Sequence, residues 1–134
     1  MFELNERLKQ DTFEVARLQL SKVLLMNDMT VPWLILVPQR SGIRELHQLE
    51  QKDLTVLVEE TALVSGLIEK EFSPDKINVA SLGNIVAQLH VHIVARFSND
   101  RAWPGPVWGA AGAEQYTEHD AAKMVKRISA MLKF

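Results

Sequence analysis

The sequence predicts an α+β domain in which about five antiparallel strands form a sheet, with one long central helix and a C-terminal helix. Two observations support this prediction: short apolar runs bounded by turn residues, and one long segment whose apolar residues recur at helical spacing. Several antiparallel strands combined with one long helix are typical of the α+β class. A chain of 134 residues fits one domain, so residues 1–134 are assigned to a single unit.

The first part of the chain predicts a short helix and three extended segments. Residues 3–10 are a candidate helix, and an extended stretch starts over residues 12–15. Ser21–Met26 has the pattern of a strand buried on both faces, and residues 33–37 form the next strand. Only a turn cluster, residues 27–30, is expected between these two strands, which favours an antiparallel hairpin.

The second part begins with the clearest predicted helix, over residues 51–72. Two further strands are expected over residues 76–80 and 88–95. Glycine and proline mark residues 102–113 as a loop, and a last helix begins near Thr117. The long helix is expected to bury the residues that recur at spacings of three and four: Leu54, Leu57, Val58, Thr61, Ala62, Ser65, Ile68 and Phe72.

Composition and charge exclude several classes of function. With 15 Lys+Arg against 17 Asp+Glu, the net charge of −2 argues against a basic face that would hold nucleic acid. The sequence contains 0 Cys, so disulfides, zinc–cysteine sites, iron–sulfur clusters and a cysteine nucleophile are excluded. The longest apolar run is too short to span a bilayer, and the charged N-terminus is unlike a signal peptide. We therefore expect a cytoplasmic protein that binds neither nucleic acid nor a membrane.

Two of the four histidines lie two residues apart in the strand predicted over residues 88–95. Side chains two apart on a strand share a face, so Gln88, His90 and His92 are expected to point the same way. One interpretation is an ordinary half-exposed strand with a polar outer face. A second is a metal site. It needs a third ligand, and the other two histidines and the carboxylates form no local cluster with the spacing of metal ligands. A third is an imidazole nucleophile that attacks a phosphate beside a second, hydrogen-bonding imidazole.

The residues around these histidines resemble the signature of the histidine triad (HIT) superfamily of nucleotidyl hydrolases and transferases. That signature has three histidines alternating with apolar residues, usually preceded by Gly-Gln and three residues. Here Gly83-Asn84 precedes Gln88-Leu-His90-Val-His92, so Gln88 stands where the first histidine is expected. A shifted alignment, with the two histidines as first and second, is opposed by the spacing from Gly83-Asn84.

The resemblance implies a mechanism and three site residues near the signature. His90, aligned with the middle histidine, would attack the α-phosphorus of a nucleotide conjugate and form a nucleotidyl-histidine intermediate that water hydrolyses. His92 would contact the phosphate and the leaving group, and Asn84 would donate its amide to a phosphate oxygen. The implied substrates are purine dinucleoside polyphosphates or nucleoside phosphoramidates. The resemblance also implies a homodimer. Because no third ligand with credible spacing lies near His90 and His92, we expect that the chemical step needs no metal, and no cofactor is expected.

Three more polar residues are predicted to bind substrate. Residues 24–38 are similar to the family's strand–turn–strand, where an Asn or Asp at the end of the first strand meets the ribose, and Asn27 has that position. Asn78 is a further candidate for the same pocket. Gln88 offers one acceptor and two donors, so it could hold a neighbouring group in place. Because Gln88 interrupts the triad, a nucleotide-binding or scaffold protein with little turnover remains the alternative, and a His-x-His metalloenzyme is a further one.

Overall fold

Five strands and three helices make up the fold in this computed structural model, which describes residues 1–133. The strands are β1 (Thr12–Arg17), β2 (Ser21–Met26), β3 (Trp33–Pro38), β4 (Lys76–Ala80) and β5 (Val91–Arg96). The helices are α1 (Glu6–Asp11), α2 (Gln51–Phe72) and α3 (Glu118–Met131), with a short 3-10 helix over Leu46–Gln48. Every strand pairing is antiparallel, in the order β1-β2-β3-β5-β4, so the predicted fold class is confirmed.

The sheet has a different layer on each face. On one face, α2 and α3 contribute Leu57, Val64 and Ile128 to a core that also contains Leu34 and Ile93 of the sheet. On the other face, α1 and the loop after β5 supply a second apolar cluster: Leu8, Leu24, Val31, Trp33, Ile35, Val37, Val94 and Val107. Both faces of β5 are therefore buried, and the interpretation of a half-exposed strand is wrong.

The strand that contains His92 begins later than the sequence predicts. β5 starts at Val91 rather than at Gln88, and residues 81–90 form an irregular connection. Gly83 in this connection has a φ of 145°, a conformation that favours glycine. Gln88 consequently lies outside the strand, and the alternation of side chains along β5 does not fix its direction.

The long helix buries a face that apolar residues alone do not predict. Val58, expected to be inside, is 61% exposed. The buried residues of α2 are Asp53, Leu57, Glu60, Val64 and Ile68. Both acids have partners: Arg40 donates to the two oxygens of Asp53 at 2.7 and 3.1 Å, and the Leu20 N–H donates to Glu60 at 2.8 Å. These partners offset part of the cost of desolvation, although the second carboxylate oxygen of Glu60 has no hydrogen-bond partner within residues 1–133.

Two expectations concern the chain as a whole. Within residues 1–133, no helix combines the length and the apolar character needed to cross a membrane. The cytoplasmic location and the assignment of residues 1–134 to one domain stay predictions.

Arg96 joins β5 to β4 and to the following loop. Its side chain, 2% exposed, donates to both oxygens of Asp100 at 2.8 and 3.0 Å. It also donates to the side-chain oxygen of Asn78 and to the Gly105 carbonyl, each at 2.7 Å. The hydrogen bond from Arg96 holds the pKa of Asp100 well below its ordinary value, although burial opposes this effect. The loop that closes the second face of the sheet is therefore anchored through one buried cation.

Replacing Arg96→Met is expected to lower the free energy of unfolding by about 3–5 kcal/mol, because Asp100 would stay buried without its cation. Urea denaturation measures this loss. The control is Arg17→Met, since Arg17 is exposed and its ion pair with Glu14 spans 3.5 Å. That change should cost at most about 1 kcal/mol. An equally small loss for Arg96→Met would contradict the role given to Arg96.

Candidate active site

A cavity of about 480 Å³ opens on the sheet face opposite α2 and α3. Four segments surround it: helix α1, the turn after β2, the connection before β5 and the loop after β5. The polar side chains that line it come from distant parts of the sequence: Arg7, Asp11, Asn27, Asp28, Asn84, His90, His92 and Arg101. The fold thus brings both histidines of the signature to one cavity.

The hydrogen bonding of His90 determines which of its ring nitrogens is free. The side chain is 5% exposed, and its Nδ1 lies 2.7 Å from the main-chain carbonyl oxygen of Gln88. Because a carbonyl oxygen can only accept, Nδ1 must carry the proton. In the neutral imidazole, Nε2 then has a free lone pair. His90 is consequently equipped to act as a nucleophile or a base.

His92 has the opposite arrangement. The indole Nε1–H of Trp33 donates to His92 Nδ1 over 3.0 Å. An indole N–H can only donate, so Nδ1 is unprotonated and the proton of the neutral ring is on Nε2. Burial, and secondly the nearby His90, lowers the pKa of His92 from 6.5 to about 4. At neutral pH, His92 is therefore a neutral ring whose Nε2–H can donate and whose other nitrogen is occupied.

These two rings are close neighbours with complementary chemistry. Their centroids are 4.9 Å apart and their planes cross at 69°. One ring has a lone pair on Nε2, and the other has a hydrogen on the same atom. Such a pair can attack an electrophile with one imidazole while the second stabilises developing negative charge through a hydrogen bond.

Two tryptophans enclose His92. The ring of Trp33 lies 5.7 Å from that of His92, and the ring of Trp108 lies 5.3 Å from it. The buried indole N–H of Trp108 has no hydrogen-bond partner within residues 1–133. Sequence reasoning missed the role of Trp33, although a signal was present. Ile35 lies opposite His92 in the sheet, and the alternation along β3 places Trp33 on the face of Ile35.

The turn after β2 is bonded to the loop after β5. Asn27 lines the cavity, and its side-chain oxygen accepts the Tyr116 N–H at 2.9 Å. Asp28 is buried and accepts from Arg101 at 2.6 Å and from the Thr30 hydroxyl at 2.6 Å. Burial alone would raise the pKa of Asp28, but these hydrogen bonds bring it below its ordinary value. The turn and the loop therefore form one connected wall of the cavity.

The remaining predicted substrate-binding residues divide into two groups. Asn84 lines the cavity, whereas Asn78 and Gln88 do not. The side-chain oxygen of Asn78 accepts from Arg96 at 2.7 Å. The side-chain oxygen of Gln88 accepts the Asn5 N–H at 2.9 Å. Both amides bond within the fold, and the substrate contacts of Asn78 and Gln88 stay predictions.

Metal ligation was the competing interpretation of the two histidines. Across residues 1–133, no three His, Cys, Asp or Glu side chains are grouped so that they could hold a metal ion. His47 and His119, the other two histidines, lie outside the lining of the cavity. The Nδ1 atoms of His90 and His92 are both used in hydrogen bonds within the protein.

Comparisons with known proteins identify the family. The family model described as the HIT domain matches residues 7–99, more than half of the chain. The chain belongs to the HIT family. In this HIT protein, Gln88 occupies the first triad position, and the other two positions are the histidines of opposite protonation described above.

Three solved structures of bacterial histidine triad proteins resemble this HIT protein over nearly its whole length. The protein of Sinorhizobium meliloti is 46% identical with a TM-score of 0.93, covering 98% of this chain and 97% of that one. The protein of Marinobacter aquaeolei is 45% identical with a TM-score of 0.95, covering 98% and 96%. The protein of Bradyrhizobium japonicum is 38% identical with a TM-score of 0.94, covering 98% of each chain. No curated protein matches the chain.

An NMR pH titration of the HIT protein should give a pKa of about 4 for His92. Trp33→Phe leaves the burial of His92 and the nearby His90 in place, but it removes a donor that stabilises the neutral ring, so it should raise this pKa only partly toward 6.5. Trp108→Phe is the matched control, since it keeps an aromatic ring and removes an N–H that has no partner within the described chain. A native His92 that is protonated near pH 6 would contradict the assigned hydrogen bond.

Proposed function

We propose that this protein is a hydrolase that acts at the α-phosphate of purine nucleotide conjugates through a nucleotidyl-histidine intermediate. The observation that supports it most strongly is the pair of hydrogen bonds that favour opposite tautomers of His90 and His92 at one cavity. Membership in the HIT family supports the same chemistry. The proposed substrates are dinucleoside polyphosphates or nucleoside phosphoramidates.

In the first step, the Nε2 lone pair of His90 attacks the α-phosphorus. A phosphorus–nitrogen bond forms, the bond to the leaving oxygen or nitrogen breaks, and the leaving group takes the electron pair. A leaving nitrogen also takes a proton from water and departs as the amine. Positive charge then develops on the imidazole of His90, whose Nδ1–H still points at the Gln88 carbonyl. That carbonyl dipole is already oriented to stabilise the charge, without any reorganisation during the reaction.

His92 assists the reaction as a fixed neutral donor. Its Nε2–H would bond to a phosphoryl oxygen or to the leaving group as negative charge increases there. The bond from Trp33 keeps this hydrogen on Nε2 throughout. In the second step, water attacks the phosphorus and the phosphorus–nitrogen bond breaks. The electron pair returns to His90, the attacking water gives up a proton to the solvent, and a nucleoside monophosphate is released.

Two asparagines complete the proposed site. Asn84 would donate its amide to a phosphate oxygen. Asn27 would bind the ribose hydroxyls through its amide nitrogen, since its oxygen already accepts the Tyr116 N–H and so fixes the orientation of the amide. Arg101 lines the cavity, but it donates to Asp28, Thr30 and two loop carbonyls. Arg101 therefore stabilises the wall of the cavity that the turn after β2 and the loop after β5 form.

A nucleotide-binding protein with little turnover is the second candidate function. The observation that favours it is Gln88 in the first triad position, where the family usually has a histidine. The proposed nucleophile and donor do not depend on the side chain of Gln88, which bonds away from both rings. Turnover of a panel of purine nucleotide conjugates distinguishes the two candidates.

His90→Ala is expected to abolish both turnover and any acid-labile nucleotidyl–protein adduct, because the covalent path is lost. His92→Ala should lower kcat by about 10²–10³, the usual effect of removing one donor to a developing oxyanion. The control is His47→Ala, which lies outside the cavity and should leave turnover unchanged. Quenching with a labelled substrate and mapping the labelled peptide measures the site of attachment. Label on His92 with none on His90 would contradict the assigned roles.

We also propose that the protein is a homodimer. Apolar side chains remain exposed on α2 and on the edge strand β4: Val58, Leu63 and Val79. Such exposed apolar surface and an open strand edge are features that a symmetric interface would cover. Light scattering at micromolar concentration should therefore give a mass near twice the chain mass of 15.2 kDa. A single-chain mass under those conditions would contradict the dimer.

A further inference from the structure

The side chain of Gln88 bonds to the N-terminal arm, defined here as residues 2–11. Its oxygen accepts the Asn5 N–H at 2.9 Å, and its nitrogen donates to the Glu3 carbonyl at 2.8 Å. Both ends of one amide thus pair with the main chain of a segment more than 80 residues away, at separations of 83 and 85 positions. Releasing this side chain would leave the Asn5 N–H and the Glu3 carbonyl without their partners.

The arm that Gln88 holds forms one wall of the cavity. Asn5 is the N-cap of α1, where its side-chain oxygen accepts the Arg7 N–H at 2.8 Å. One turn later, Leu8 is buried against the apolar cluster that contains Trp33. Arg7, Leu8 and Asp11 all line the cavity. The position of Asn5 therefore fixes the first turn of α1, which lines the cavity.

Gln88 acts on the two sides of the site through different atoms. Its main-chain carbonyl accepts from His90, and its side chain bonds to the arm. A substitution of the side chain leaves the carbonyl in place. The chemistry of His90 and the position of the arm can thus be separated by experiment.

We propose that Gln88 is a positioning residue that holds the N-terminal arm against the cavity and thereby sets the affinity for the nucleotide. Its side chain has no direct part in the chemical step. The inference rests on the proposed function to the extent that the cavity is taken as the nucleotide site. The side chain of Gln88 keeps the arm against the cavity. A bound nucleotide therefore contacts Arg7 and Leu8 without first having to order them.

The test compares Gln88→Ala and Gln88→Glu with Gln39→Ala. Glu keeps the acceptor for the Asn5 N–H and loses the donor to the Glu3 carbonyl. Gln39 is the matched control, because its side chain also bonds to a main-chain carbonyl, that of Leu20 at 3.1 Å, but does not line the cavity. Three quantities are measured: hydrogen exchange of the Asn5 amide, the Kd for AMP, and the single-turnover rate at saturating dinucleoside polyphosphate.

Gln88→Ala should speed exchange of the Asn5 amide by about tenfold or more, since it removes both hydrogen bonds to the arm. The Kd for AMP should rise by about tenfold, because the open arm must be ordered again on binding. The single-turnover rate at saturation should stay within about twofold, since His90 keeps its carbonyl partner. For Gln88→Glu, the exchange rate of the Asn5 amide and the Kd for AMP should lie between those of the native protein and of Gln88→Ala. Gln39→Ala should match the native protein in exchange, Kd and single-turnover rate.

Three results would overturn the inference. One is faster exchange of the arm with an unchanged Kd for AMP. Another is a large loss of the saturated rate, which would place Gln88 in the chemical step. The third is native-like exchange in Gln88→Ala. If Gln88→Ala does not fold, the nearly isosteric Gln88→Glu provides the same comparison. A native protein that binds AMP but hydrolyses no conjugate would refute the proposed hydrolase, while exchange and AMP binding would still decide the role of Gln88.

Discussion

The hydrogen bond from the Trp33 indole to His92 Nδ1 is the interaction on which the proposed chemistry depends. Two imidazoles with centroids 4.9 Å apart could exchange the roles of nucleophile and donor if each ring had access to both tautomers. The indole of Trp33 fixes the tautomer of His92, and the Gln88 carbonyl fixes that of His90. Because β3 and β5 are paired in register, the sheet itself brings the indole to the imidazole. The reactive lone pair and the donor hydrogen are thus assigned before any ligand binds.

Neutral groups provide much of the electrostatic environment around the reacting atoms. Asp28 and Arg101 line the cavity, but they neutralise one another across 2.6 Å. Arg96 and Asp100 do the same behind the loop, at 2.8 Å. These buried pairs fix the loop and the turn in place. The donors proposed for a phosphate are the neutral N–H groups of His92 and Asn84, with the exposed Arg7 also lining the cavity. Oriented neutral donors are effective, because they need no reorganisation as charge develops.

The sequence predicts the sheet, the long helix and the histidine pair because each depends on local patterns of period two or 3.6. It does not predict features that depend on a hydrogen-bond partner from a distant part of the sequence. The face of α2 depends on Arg40 and on the Leu20 N–H, which make Asp53 and Glu60 acceptable inside the protein. The direction of Gln88 depends on Asn5, 83 positions away. Local periodicity contains no information about such pairs, and the role of Trp33 requires the strand register as well.

The central claim is that the hydrogen bonds of His90 and His92 impose opposite tautomers on the two rings. Long-range nitrogen–proton NMR on protein labelled at histidine, at pH 7 and without ligand, observes this directly. We expect the neutral ring of His90 to have its proton on Nδ1. We expect His92 to have a proton on Nε2 and none on Nδ1. The same tautomer in both rings, or a doubly protonated His92, would contradict the account.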